Sequence, residues 1–216
     1  MYNFRYVTEK QLSPVKNDLI LIMNSVRAQL CKEFTFQFEF IGSAKRNMVT
    51  YDEGMNIGFD FDVNIQINAN GIQYSAKDIR TKIRTSLDKI APHFGYDHAE
   101  DSTRVITIKL KDKRNSKILH SADFAIVNNY IDKKGNKQQR YIRFHKKHSK
   151  YVWEKQPKKY YLLEKKVEWV RNEGFWNEVR KLYLEKKNRN TVPGKCSQSI
   201  YAETIHEICQ KRGYYE

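Results

Sequence analysis

The feature that most constrains the fold of this chain is an uninterrupted alternation over residues 59–67. Aromatic and aliphatic residues there alternate with Asp60, Asp62, Asn64 and Gln66, which indicates a β-strand with one buried and one polar face. Side chains two apart on a strand project from the same face, so Asp60 and Asp62 lie side by side. Two such charges repel unless a cation lies between them, and a hard divalent cation is the simplest candidate. The alternative is a solvated edge strand that carries two aspartates.

The sequence before this strand predicts a helix, a strand and a loop. Ser13-Pro14 has the form of a helix start, and apolar residues recur at helical spacing from 14 to 32. Phenylalanines at every second position from 34 to 40 predict a strand with an aromatic face, which runs into Gly42-Ser43. Residues 44–58 show no periodicity and contain two glycines, so we expect a loop there.

The sequence after the strand continues with a helix, three strands and a helical region. Ser75 and Asp78 have the spacing of a capping box, and strands are predicted near 105–110, 118–127 and 140–144. Asp123 lies in the middle of the most apolar of these strands. Burying it is costly, so we expect either an ion pair, for example with Arg104, or a bound metal. From residue 160 onward the apolar spacing is helical.

This order of elements predicts an α+β fold, with one mixed β-sheet flanked by helices and a C-terminal helical part. We expect a core domain at 1–150 and the helical part at 151–216. No apolar run approaches the roughly 20 residues that span a membrane. The N-terminus lacks the pattern of a signal peptide, and the three cysteines form no close pair. We therefore expect a cytoplasmic protein without a membrane partner.

The positive charge of the chain is concentrated in one segment. The formal net charge is +15, and residues 133–189 alone carry 19 Lys or Arg against 6 Asp or Glu. Such a segment favours a polyanionic partner, while the alternative is a solvated basic surface. Aromatic residues suited to stacking on bases are interleaved with it: Tyr130, Tyr141, Tyr151, Trp153, Tyr160 and Tyr161.

The arrangement of motifs resembles a known superfamily. Gly42-Ser43 after a strand, then Asp60-x-Asp62 on a second strand, then Asp123 on a later strand, resembles the nucleotidyltransferase fold of the DNA polymerase beta superfamily. Residues 152–157, Val-Trp-Glu-Lys-Gln-Pro, followed by helices, resemble the branch that holds oligoadenylate synthases and bacterial cyclic-oligonucleotide synthases. The superfamily pattern covers residues 14–127. Sixteen residues separate Ser43 from Asp60, a longer gap than is usual in the superfamily.

The resemblance implies a metal-dependent enzyme. Asp60 and Asp62 would bind two magnesium ions, with manganese as a substitute, and Asp123 would bind the ion that activates the acceptor hydroxyl. Two metal ions in such a site bind both the entering and the leaving oxygen.

The resemblance also implies a set of contacts to the nucleoside triphosphate. Gly42 would let the backbone approach the triphosphate, and Ser43 would donate a hydrogen bond to it. A lysine and a serine of the helical part would contact the triphosphate as well. Lys165 or Lys166, together with Ser199, stand at suitable places in the sequence, and helical phase does not choose between the two lysines.

The resemblance therefore implies a nucleotidyltransferase that binds ATP or another nucleoside triphosphate and moves its nucleoside monophosphate onto a hydroxyl, with release of pyrophosphate. The charge of residues 133–189 favours an RNA end, for example that of a tRNA, or another nucleotide as the acceptor. Two other readings stay open: a non-catalytic nucleic-acid-binding module, and a partner-binding protein that retains the fold.

Overall fold

The computed structural model of the protein describes residues 2–55, 58–157 and 161–215. Contacts group the chain into two compact units. The larger unit comprises residues 7–49 and 56–156, and the smaller one comprises residues 1–6, 50–55 and 157–216. The predicted division at residues 150 and 151 remains a prediction.

The described strands are β1 (Phe4–Tyr6), β2 (Phe36–Ile41), β3 (Thr50–Asp52), β4 (Phe59–Ile67), β5 (Glu100–Asp101), β6 (Val105–Asp112), β7 (Lys117–Ile131), β8 (Lys137–His145) and β9 (Lys150–Lys155). The α-helices are α1 (Glu9–Leu30), α2 (Gly42–Lys45), α3 (Ala76–Ile90), α4 (Tyr161–Asn172), α5 (Trp176–Arg189) and α6 (Ser197–Lys211). Within these residues no helix is long and apolar enough to cross a membrane.

The first helix begins earlier than the sequence predicts. Thr8, not Ser13, is the N-cap of α1, and its backbone N–H donates to Gln11 Oε1 at 3.0 Å in a capping box. Pro14 lies inside the helix rather than at its first position. The prediction of a start at Ser13-Pro14 is therefore wrong, because the capping box supplies the acceptors that an N-terminus needs.

The larger unit is built on one mixed sheet, so the predicted α+β fold is confirmed. Five strands follow the order β2-β4-β7-β6-β5, and β8 and β9 continue from the second half of β7. Only β4 and β7 pair in parallel among the described strands of this sheet. Asp60 and Asp62 therefore lie on an interior strand, which excludes the alternative of an edge strand.

One face of this sheet forms the core. Phe61 is 1% exposed and Phe124 is fully buried, as expected from the alternation of the two strands. Helices α1 and α3 cover this face: Lys16 of α1 lies over the Phe40 ring, and Ile79 and Ile83 of α3 are fully buried. Burying one face of alternating strands leaves the polar positions on the opposite face.

The segment between Gly42 and β4 contains more structure than a loop. Gly42 and Ser43 open the short helix α2, and β3 pairs antiparallel with β1. The prediction of a loop over 44–58 is wrong for residues 44–45 and 50–52, because elements of three or four residues are too short to show periodicity. Residues 56 and 57 lie outside the described part of the chain.

The smaller unit joins β1 and β3 to the three C-terminal helices. The Asn188 side chain of α5 accepts a hydrogen bond from Phe4 N at 2.6 Å and donates one to Phe4 O at 3.1 Å. The facing sides of the helices bury Val170, Val179 and Ile205 completely. The predicted helical character of this region is confirmed.

Candidate active site

The three aspartates of the sequence motif come together on the polar face of the sheet. Asp62 of β4 and Asp123 of β7 are direct partners in the parallel ladder, and Asp60 stands opposite Ser121. Because Asp60 and Asp62 are two residues apart, all three carboxylates project from one face of two neighbouring strands. Asp60 is exposed, whereas Asp62 and Asp123 are half-buried.

Two hydroxyl groups on neighbouring positions bind these carboxylates. Ser121 donates its hydroxyl to Asp60 Oδ1. Thr107 of β6, which pairs directly with Asp123, donates its hydroxyl to Asp123 Oδ1 at 2.5 Å. The carboxylates therefore belong to a polar row that crosses β4, β7 and β6.

Burial and neighbouring charges raise the proton affinity of Asp62 and Asp123. Burial raises the pKa of Asp62 above its ordinary value, and the charges of Asp123 and Asp60 raise it further, while Arg46 acts in the opposite direction. Burial likewise raises the pKa of Asp123, the hydrogen bond from Thr107 lowers it, and the charge of Asp60 raises it. A site that disfavours its own ionised form gains most from a cation.

Gly42 is held against this cluster. Its φ of +61° lies in the left-handed region that favours glycine. A Cβ atom at this position would come within 2.4 Å of Asp62 Oδ2. The main chain at the start of α2 thus lies so close to the Asp62 carboxylate that a residue with a side chain would not fit at position 42. Ser43 follows in α2, where its carbonyl accepts from the N–H groups of Arg46 and Met48.

The chemistry of this donor set fits a divalent magnesium or manganese ion. Carboxylate oxygens are the ligands that such hard cations take, and three of them share one face. In their present orientations, no three His, Cys, Asp or Glu side chains among the described residues surround a common point that could hold a metal ion. Two of the three carboxylates are engaged by hydroxyls. A cation bound by all three carboxylates would need them to turn away from these hydroxyls.

The other predicted nucleotide contacts belong to the smaller unit. Lys165 is exposed on α4. Lys166 is half-buried, with its Nζ 3.3 Å from His206 Nδ1 and 5.7 Å from the centre of the Tyr214 ring. Ser199 lies in the first turn of α6, 3.3 Å from the Cys196 sulfur. The role of all three toward a nucleotide stays a prediction, and so does the choice between the two lysines.

The alternative that Asp123 pairs with Arg104 is wrong. Asp123 accepts from Thr107, and the Arg104 guanidinium lies over the Tyr141 ring, 5.2 Å from its centre. Of the aromatic residues predicted to stack on bases, Tyr160 and the Tyr161 side chain lie outside the described residues. Tyr141 is buried.

Sequence reasoning missed Ser121 and Thr107. Each stands at a polar position of a strand, and Ser121 precedes Asp123 by two residues, which places both on one face. That spacing could have identified Ser121. Thr107 depends on the register between β6 and β7, which a single sequence does not provide.

No protein-family model matches the sequence, and no curated protein matches it. Solved structures do match its fold. The STING-associated CdnE c-di-GMP synthase of Capnocytophaga granulosa aligns with a TM-score of 0.55 at 14% identity, over 93% of this chain and 62% of that one. The CdnE cyclic dinucleotide synthase of Elizabethkingia meningoseptica aligns with a TM-score of 0.52 at 12% identity, over 88% and 67%.

A third similar structure is the DncV cyclic AMP-GMP synthase of Vibrio cholerae in complex with the linear intermediate pppA(3′,5′)pG. It aligns with a TM-score of 0.53 at 16% identity, over 80% of this chain and 44% of that one. The present chain thus spans between 44% and 67% of these three synthases. At such low identity the likeness establishes the fold, and the predicted nucleotidyltransferase fold is confirmed.

Proposed function

We propose that the protein is a nucleotidyltransferase that moves a nucleoside monophosphate from a nucleoside triphosphate onto a hydroxyl group and releases pyrophosphate. The observation that carries this proposal is the pairing of Asp62 with Asp123 across β4 and β7, with Asp60 on the same face. The likeness of the fold to cyclic dinucleotide synthases supports the same reaction class.

The three carboxylates are proposed to hold two magnesium ions, which manganese can replace. When bound, the ions stabilise the charge of the transferred phosphoryl group and bind its entering and leaving oxygens. Rotation of Asp60 and Asp123 away from Ser121 and Thr107 frees carboxylate oxygens for this role. The raised pKa values of Asp62 and Asp123 make the metal-free site hold protons more readily than ordinary carboxylates do. Loading is therefore favoured as the pH rises, because ion and proton compete for the same oxygens.

The nucleotide is proposed to lie against the start of α2. Gly42 leaves space for phosphate oxygens beside Asp62, and the Ser43 hydroxyl donates to the triphosphate. Lys165 or Lys166, with Ser199, contributes charge and a hydrogen bond from the helical part, which we assign to 151–216 beside a core of 1–150. Phosphoryl transfer depends mainly on positioning and charge neutralisation, so these groups suffice without a protein nucleophile.

Two acceptors fit the proposal, and both are hydroxyls of nucleotides. The basic segment 133–189 favours the end of an RNA such as tRNA. The names of the similar structures, which are synthases of cyclic dinucleotides, favour a free nucleotide. A single assay distinguishes them, because label then appears either on RNA or in a small product.

The test is incubation of the protein with each α-labelled nucleoside triphosphate and magnesium, with and without total tRNA. The inactive variant is Asp60→Asn/Asp62→Asn. The matched control is Glu39→Gln, which removes an exposed carboxylate from the neighbouring strand β2 without touching the three aspartates. We expect incorporation by the wild type and the control, and none by the double variant.

The other outcomes identify the alternatives. Incorporation that survives in the double variant would contradict the assignment of the aspartates. No incorporation with any nucleotide, together with nucleic-acid binding that is the same in wild type and double variant, would identify a non-catalytic binding module. Neither incorporation nor binding would identify a partner-binding protein that retains the fold.

A further inference from the structure

A second cluster of charged and aromatic side chains lies around Arg140, in the larger unit. The Arg140 guanidinium is 5.6 Å from the centre of the Tyr130 ring and 5.0 Å from that of Trp153. Its Nε donates to Asn128 Oδ1 at 3.0 Å. Two rings and one hydrogen bond therefore hold the planar group in one orientation, at little remaining cost in side-chain entropy.

The outer nitrogens of this guanidinium are available. In residues 2–55, 58–157 and 161–215, neither Nη atom of Arg140 has a hydrogen-bond partner, and no carboxylate lies within 4 Å of it. A pre-oriented guanidinium with free Nη donors matches the geometry of a phosphate, which accepts two parallel hydrogen bonds.

Two adjacent cavities lie along Tyr130, and Arg140 lines one of them. One has a volume of about 470 Å³ and is lined by Gln66, Asn68, Asn129, Tyr130 and Arg140 among others. The other has a volume of about 490 Å³ and shares Asn129 and Tyr130 with the first. Both volumes are within the range of small-molecule sites. Tyr130 lines both cavities, so a planar ligand in either one has an aromatic face to stack on.

The strand register places a chain of amides on the other face of the sheet from Arg140, because Gln139 pairs with Asn129 whereas Arg140 pairs with Asn128. Gln139 Nε2 donates to Asn129 Oδ1 at 2.8 Å, and Asn129 Nδ2 donates to Gln66 Oε1 at 2.7 Å. This directional chain ends at the Gln66 amide nitrogen, which has no acceptor among the described residues. These amides share the face of Asp62 and therefore do not belong to the Arg140 cluster.

The surroundings are strongly basic. Residues 133–155 contain nine Lys or Arg and one acidic residue. Lys137 is exposed beside the second cavity, and Lys155 is exposed opposite Arg140 in the β8–β9 ladder. A run of separate positive charges suits a chain of phosphates better than a single anion.

We infer that the Arg140 cluster, comprising Tyr130, Lys137, Arg140, Trp153 and Lys155 with the two cavities, binds a single-stranded nucleic acid. Arg140 binds a backbone phosphate, and Tyr130, which shares its face of the sheet, stacks on a base. This face is opposite to the one that carries Asp60, Asp62 and Asp123, so the site is separate from the aspartates. The inference does not depend on the proposed transferase activity.

The test is fluorescence anisotropy with labelled oligonucleotides of mixed sequence, in the absence of metal and triphosphate. Single-stranded RNA, single-stranded DNA and a duplex are titrated at several salt concentrations. The main variant is Arg140→Gln, and the matched control is Arg114→Gln, an exposed arginine in the turn between β6 and β7. The Lys137→Gln/Lys155→Gln double variant changes only exposed side chains and serves if Arg140→Gln fails to fold.

We expect Arg140→Gln to bind single strands about tenfold more weakly, as for the loss of a charge-assisted hydrogen bond. The dependence of log K on log salt should become shallower by about 0.7, the value for one phosphate contact to a single strand. Arg140→Lys should keep the salt dependence and lose affinity. The lysine double variant should reduce both. The better-bound strand, RNA or DNA, identifies the source of the ligand.

The inference is overturned if the wild type binds no single strand, or binds the duplex more tightly. It is also overturned if Arg140→Gln, shown to be folded, behaves like Arg114→Gln, or, where it is not folded, if the lysine double variant binds like the wild type. The Asp60→Asn/Asp62→Asn variant separates the two proposals, because it should bind the strand at least as tightly as the wild type. Arg140-dependent binding without any nucleotide incorporation would support this site and reject the transferase.

Discussion

The two faces of strand β4 have opposite effects on stability. On one face Phe61, Val63 and Ile65 are buried at or below 1% exposure, and the packing of α1 and α3 stabilises them. On the other face, burial together with the charges of Asp123 and Asp60 raises the pKa of Asp62. The first face contributes stability and the second reduces it. Residues that cost stability and share one face are typical of a functional site.

The largest expected effect is on the polar face. If Asp62 is a metal ligand, as proposed, Asp62→Asn should reduce nucleotide incorporation by about a thousandfold or more. The same change should leave the free energy of unfolding equal or higher, because it removes a repulsive charge. Incorporation assays and chemical denaturation of the same preparation check both parts. A less stable Asp62→Asn protein would contradict the description of this face as a source of repulsion.

Substitution of Phe61, the residue next to Asp62, should have the opposite effect on stability. Phe61→Ala removes a ring that is 1% exposed, so the free energy of unfolding should fall by about 3–5 kcal/mol. Denaturation in urea measures the loss. Leu119→Ala is a suitable control, because that side chain is 44% exposed on a strand of the same sheet and should cost much less. Equal losses of unfolding free energy at the two positions would contradict the assignment of Phe61 to the core.

Substitution of Gly42 should affect both stability and nucleotide incorporation. Gly42→Ala adds a Cβ at a φ of +61° and within 2.4 Å of Asp62 Oδ2. Backbone strain should cost about 1–3 kcal/mol of stability. Incorporation should fall further than the loss of folded protein explains, because the methyl group displaces the Asp62 carboxylate. Ser43→Ala, which adds no atom, should lower incorporation without this loss of stability.

The two faces should also differ in the sign of their pH dependence. On the apolar face, burial lowers the pKa of His120 to about 4, and its Nε2 lies 3.0 Å from the Tyr96 hydroxyl. In the unfolded chain His120 takes up a proton as the pH falls through about 6.5, whereas in the folded protein it stays neutral. Lowering the pH from 7.5 to 5.5 should therefore reduce the free energy of unfolding by about 1 kcal/mol. On the polar face, Asp62 and Asp123 have raised pKa values in the folded state. Their contribution to stability should therefore rise as the pH falls through those values.

Stability measured from pH 7.5 to 4.5 in the absence of divalent ions separates the two contributions. His120→Gln should lose the decrease between pH 7.5 and 5.5. Asp62→Asn should lose part of the gain that the wild type shows at lower pH. Added magnesium should stabilise the wild type at pH 7.5, less at pH 5.5, and hardly at all in the Asp62→Asn variant. If stability changed with pH equally in the wild type, His120→Gln and Asp62→Asn, the pKa values of these groups would not differ between the folded and unfolded states.

The sequence alone predicts the faces of β4 well because strict alternation over nine residues has one structural meaning. It also identifies Asp123, because an acid within an apolar strand needs an explanation. It does not identify β1, β3 or the true start of α1. Those depend on pairing between distant short segments, or on a capping box that competes with a more conspicuous Ser-Pro pair. The hydroxyl of Thr107 at Asp123 depends on strand register, which is set by the whole sheet.

The parallel pairing of β4 with β7 has a consequence for how the protein is made. Ser121 and Asp60, which share a hydrogen bond, are 61 residues apart in the chain. A nascent polypeptide that has emerged only as far as β4 already carries two of the aspartates, yet it has no neighbouring strand to complete the set. Pairings of such long range form late and slowly. The three carboxylates can therefore first be brought together after β7 has left the ribosome, and a chain that ends before β7 cannot form the complete cluster.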